Sequence, residues 1–106
     1  MTPSTVLQRA RARIADREKW CRGRLGDGRG RCCAEGALRE VVLGSPTASV
    51  FGNHEWIAVW RLLAKAARRL SPDHGPIDVN DLLGHAAVLE MYDIAILLAM
   101  SEEAAP

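Results

Sequence analysis

Aromatic side chains are scarce in this 106-residue chain: Trp20, Phe51, Trp56, Trp60 and Tyr92 are all of them. That excludes a row of exposed rings for stacking single-stranded nucleic acid. It also leaves alanine and leucine to fill most of the interior, which favours closely packed helices. Long apolar runs are missing as well. No stretch approaches the roughly 20 apolar residues of a membrane span, and "MTPSTVLQRARARIAD" lacks the apolar segment of a secretory leader. The expectation is a cytoplasmic protein with no membrane contact. Three cysteines cannot all pair within one chain, so a disulfide scaffold is excluded. Metal-site spacing is absent too. Cys21, Cys32, Cys33, His54, His74 and His85 supply ligand types, but no C-x₂₋₄-C or H-x₃₋₅-H pair occurs, and adjacent cysteines are a poor chelating bite. "GDGRGR" lacks the strand, glycine and lysine order of a P-loop. The sequence therefore calls for no metal and no cofactor.

What the chain does contain is ordinary globular material, 48% apolar and 25% charged, in a length that suits one domain spanning residues 1–106. The expected fold is all-α, a single compact domain of about four helices. Thr2-Pro3 and the apolar positions Val6, Leu7, Ala10, Ile14 and Cys21 predict a first helix reaching to about Cys21. Gly23, Gly26, Gly28 and Gly30 then break the chain into a glycine-rich loop over about 23–31, in which Asp27-Gly28 would suit a short hairpin turn. A second helix is expected from about Cys32 to Leu43, ended by Gly44-Ser45-Pro46. Asn53 caps a third, with Trp56, Val59, Trp60, Leu63, Ala67 and Leu70 on one stripe. The last helix lies within "HAAVLEMYDIAILLAM", with a frayed tail over about 101–106.

Charge is split along the chain. Met1 to Arg31 carries nine basic residues against three acids, and the remainder five against ten. Either the two parts neutralise each other across the fold, or the basic part meets an acidic partner. On the second reading Arg9, Arg13, Arg17, Arg24, Arg29 and Arg31 form the contact.

Cys32 and Cys33 stand where the basic loop gives way to the second helix. A helix start favours an anion, and Arg29 and Arg31 push the same way, so a reactive thiolate is one reading. Cys33, or Cys32 in its place, would then be the nucleophile of a hydrolase or transferase, His85 its base, and Asp81 the group orienting the base. The preferred reading is a packed small side chain beside the close-packing pair Gly36-Ala37, since free cysteine is among the most buried residue types. Asn80-Asp81 likewise reads first as a cap or turn tie, and only second as a site.

Taken together, W-C-R-G at Trp20 to Gly23, G-R-C-C-A-E-G-A-L at Gly30 to Leu38, and N-D-x-x-G-H-x-x-V-L at Asn80 to Leu89 resemble a family of short bacterial and phage proteins known only as a domain of unknown function. The resemblance runs from Trp20 to Ile96. It rests on a Trp-containing first helix, a C-A-x-G-A-L helix start and an N-D pair before a final helix. Cys33, Gly36, Ala37, Leu38, Asn80 and Asp81 stand at those positions. Two departures are Val79, where the family often has an aromatic residue, and the extra Cys32. The resemblance implies a compact helical fold, no established activity, and a meeting of Cys33 with Asn80-Asp81 in space. The function expected from all of this is a non-enzymatic interaction protein carried on a phage or mobile element. Its partner is a protein rather than nucleic acid, with a second copy of the chain as a further candidate.

Overall fold

A computed structural model describes all residues from Met1 to Pro106, and they form one all-helical globule with no strands. Helix α1 (Pro3–Arg13) starts on Thr2, whose side chain accepts from the Thr5 amide, and on a proline at its first position. It stops well short of Cys21. Asp16 takes the Glu18 amide and starts a single 3₁₀ turn, Arg17–Lys19, after which Trp20 is extended. The apolar spacing that predicted a longer helix therefore ends at Ile14, and Cys21 lies in the loop instead.

Helix α2 (Ala34–Leu43) begins two residues later than predicted, because Cys33 is its N-cap and not its first turn. It ends at Gly44, whose φ of 89° is open to glycine at little cost. Helix α3 (His54–Leu70) has the predicted bounds. The Asn53 side chain accepts from the Trp56 amide, and the inward stripe includes Trp56, Val59, Leu63 and Ala67, with Leu62 and Ala66 beside it.

The chain then makes a single helical turn, α4 (Pro76–Asp78), which runs straight into a five-residue π turn, Val79–Leu83. Gly84, at φ 96°, breaks this turn from helix α5 (His85–Ala104). Residues 101–104, expected to fray, are instead helical. The reason is a clasp between chain ends: the Glu103 carboxylate accepts from the Ser4 amide at 3.1 Å and its hydroxyl at 2.7 Å.

α5 packs against α1 and α3, and α1 packs against α2. The core so enclosed is built from short and aliphatic side chains, among them Val6, Leu7, Ala10, Leu38, Leu63, Val88, Met91 and Ala95, all with no exposure. Tyr92 is the largest side chain fully inside, and it donates its hydroxyl proton to the Ala34 carbonyl at 2.6 Å, tying α5 to the start of α2. No helix is long and apolar enough to cross a membrane.

Candidate functional site

Residues 19–33 fold back on themselves to deliver the start of α2. The Cys32 amide donates to the Lys19 carbonyl (3.1 Å), the Cys21 amide to the Cys32 carbonyl (3.1 Å), and the Cys33 amide to the Leu25 carbonyl (3.3 Å). Leu25 comes so close to α2 that a Cβ on Gly36 would lie 1.9 Å from the Leu25 carbonyl oxygen. Glycine is required there by contact, not by backbone conformation.

The hairpin predicted at Asp27-Gly28 does not form, and only isolated bridges from Trp20 and Gly26 to Cys32 occur. Asp27 organises the loop instead. One carboxylate oxygen accepts from the Arg29 amide (2.8 Å) and the Arg31 amide (3.0 Å), and the other pairs with the Arg31 guanidinium. The backbone hydrogen bond from Arg29 and the side-chain bond from Arg31 hold the Asp27 carboxyl down at about 2.

Asn80, on the π turn, is 1% exposed and fully bonded. Its Oδ1 accepts from the indole of Trp20 (2.6 Å) and the amide of Ala34 (2.9 Å), and its Nδ2 donates to the Cys21 carbonyl (3.2 Å) and to Asp81 Oδ1 (2.9 Å). Asp81 Oδ1 also accepts from the Gly23 amide at 2.9 Å. The three motif segments therefore meet at one junction. A π turn is a frequent companion of such special positions; here the wider turn sets Asn80 inward while leaving Asp81 half-buried at its edge.

Beside this junction opens a cavity of about 250 Å³, walled by Leu25, Cys33 and Ile77, with Asp81, Glu35 and Arg24 also on its lining. Cys33 Sγ accepts from the Gly36 amide at 3.3 Å. Burial nevertheless wins, and it pushes the Cys33 thiol above its ordinary value against the opposing amides of Gly36 and Glu35. Burial pushes Cys32 further, to about 12. Neither sulfur is the low-pKa thiolate that the helix start would favour on sequence grounds.

The nucleophile, base and orienter suggested for a hydrolase are not joined by hydrogen bonds. His85 Nε2 donates to the Ile14 carbonyl at 2.7 Å, which fixes that nitrogen as the protonated one. The His85 ring packs on Trp20 with centroids 5.3 Å apart, and it does not line the Cys33 cavity. Asp81 serves the Gly23 amide and Asn80, not His85. No group of three or more His, Cys, Asp or Glu side chains converges to hold a metal ion.

The candidate arginines divide. Arg13 pairs with Glu40 (2.5 Å) and donates to the Gly30 carbonyl (2.9 Å), so it is occupied within the fold. Arg9 and Arg17 are exposed on α1 and the 3₁₀ turn. Arg24, Arg29 and Arg31 gather with Arg22 around Cys21 on a groove of about 340 Å³. Sequence reasoning missed Arg22. Its guanidinium lies 5.5 Å from the centre of the Trp20 ring and donates to the Asp81 carbonyl at 2.9 Å, a position signalled only by its place inside W-C-R-G. Leu25, Glu35 and Ile77 were also missed. Glu35 is buried and paired with Arg39 at 2.7 Å, and Ile77 sits 54% exposed at the cavity wall, with nothing in its local pattern to mark it.

With that geometry in view, the family can be stated: residues 1–97 match the model of a family of unknown function, DUF6197, and the chain belongs to it. Comparison with curated proteins and with solved structures finds no match.

Proposed function

We propose that this protein is a small non-enzymatic interaction module, which holds an acidic segment of a protein partner in the arginine groove of its glycine-rich loop. The observation that carries the reading is the convergence of Arg22, Arg24, Arg29 and Arg31 on one groove. The loop under them is ordered by Asp27 rather than loose, so little entropy is lost when a partner docks. Arg24 and Arg29 form no ion pair within the chain and are available to a carboxylate, which guanidinium pairs well. A protein partner is favoured over nucleic acid for two reasons. No aromatic side chain lines the groove for base stacking. The whole chain carries a net charge of only +1, so outside the groove the surface is slightly acidic and not a broad basic face. The reading takes the protein as cytoplasmic, where its three cysteines stay thiols.

Fluorescence anisotropy with labelled poly-glutamate tests it. Poly-glutamate should bind with an affinity that falls as salt rises, and the double substitution Arg24→Ser, Arg29→Ser should weaken binding at least tenfold. Binding to duplex DNA that exceeds poly-glutamate and falls steeply with salt would transfer the reading to nucleic acid. Poly-glutamate binding unchanged in the double variant would remove the groove from the function.

A further inference from the structure

We infer that the cavity beside Cys33 is the anchor pocket of the same docking surface, and that it takes one large apolar side chain of the acidic segment. This rests on the groove reading above and specifies the partner further.

Size points to a single side chain. The cavity is about 250 Å³, below the roughly 300–1,000 Å³ of small-molecule and cofactor sites. Its chemistry points to an apolar one. Apart from Arg24, which the groove shares, the polar side chains on its lining are engaged inside the protein: Asn80 makes four hydrogen bonds, Asp81 Oδ1 accepts two, and Glu35 is paired with Arg39. What remains open is Leu25, the Cys33 sulfur and the flank of Ile77. Ile77 is 54% exposed at the cavity wall, so an incoming side chain can reach its flank without displacing the core.

Continuity with the groove fixes the occupant's neighbours. Arg24 lines both the cavity and the groove, while its neighbours Gly23 and Arg22 line the cavity and the groove respectively. A chain laid across this segment puts an acidic residue against Arg24 when its apolar side chain enters the cavity. Interfaces are commonly built in this way, from one buried apolar anchor and a charged rim.

Acidic heptapeptides with a central leucine, phenylalanine, alanine or lysine provide the probe, with anisotropy as the readout. The leucine or phenylalanine peptide should bind at least tenfold more tightly than the alanine peptide, and the lysine peptide no better than alanine. Ile77→Glu, at an exposed position that leaves the core intact, should collapse the leucine-to-alanine ratio to within twofold. Arg24→Ser, Arg29→Ser should weaken every peptide alike. Alanine and leucine peptides of equal affinity, both weakened by the arginine substitutions, would overturn the pocket and leave the groove standing. Preference for lysine would overturn the apolar occupant. No peptide binding at all, or binding indifferent to the arginine substitutions, would overturn groove and pocket together.

Discussion

Replacing Asn80 by alanine strands three partners at once: the Trp20 indole, the Ala34 amide and the Cys21 carbonyl. Each buried group left without a partner costs about 1–3 kcal/mol, so Asn80→Ala should lower stability by about 3–5 kcal/mol. Urea unfolding reads this directly, and a loss under about 1 kcal/mol would mean the junction is not what holds the loop to α2. Gly36→Ala fails for a different reason. Its Cβ would meet backbone, the Leu25 carbonyl oxygen at 1.9 Å, and backbone cannot rotate aside. The expected cost is about 3 kcal/mol or more, at the top of the range for overpacking, again measured by urea unfolding. Both residues stood out in the sequence as motif positions, but what they touch did not. Asn80 reaches Trp20 and Ala34 across 60 and 46 residues of chain, and no local pattern encodes which distant donor an amide will meet. The same limit explains His85: its place before the last helix made it look available, and only the fold reveals that Ile14 occupies its Nε2.

Among the elements, legibility follows how much of the signal is periodic. α3 was readable because an Asn cap and an apolar stripe reaching Leu70 agree. α1 was overextended because Ile14 and Cys21 keep helical spacing, yet Asp16 draws the Glu18 amide into a 3₁₀ turn and ends the run. The π turn had no signature to read, since five residues are too few to display a period. The end of α5 was missed for want of apolar residues after Met100, where an electrostatic clasp does the holding instead. Glu103 gives the first turn of α1 a carboxylate exactly where unpaired amides and the helix dipole favour one. Glu103→Ala should therefore destabilise by about 1 kcal/mol. In a domain of this size that lowers Tm by about 4–8 °C. Calorimetry checks it, and Glu102→Ala, which removes only the exposed pair with Arg61, should change Tm by much less.

Across the whole molecule, the charge split legible in the sequence is met in part by neutralisation across the fold. Arg11 lies 2.7 Å from Asp93, with its Nε–H poorly aligned on the carboxylate, and Arg13 pairs with Glu40, so part of the basic N-terminal third is neutralised across the fold. Arg24 and Arg29 of the loop are left over, and both lie on the groove. Beneath them the core holds three acids in their neutral forms. Burial raises Cys32 from the ordinary thiol value near 9 to about 12, and it raises Cys33 and Tyr92 as well. An acid whose folded pKa is raised holds its proton longer in the folded than in the unfolded chain. Stability from that source is complete below the unfolded value and is lost as pH climbs toward the folded one. Unfolding free energy should accordingly be flat from pH 7 to 8 and then fall from about pH 9 upward, by at most about 1.4 kcal/mol per pH unit for each proton involved. Because Cys32 and Tyr92 have no exposure, their ionisation requires the core around the start of α2 to open, so the loss should appear as global unfolding and not as local fraying. Urea unfolding at intervals from pH 7 to 11 measures the slope. Cys32→Ala, even at reduced stability, should show a shallower fall, and an unchanged slope in that variant would assign the alkaline loss to groups other than Cys32.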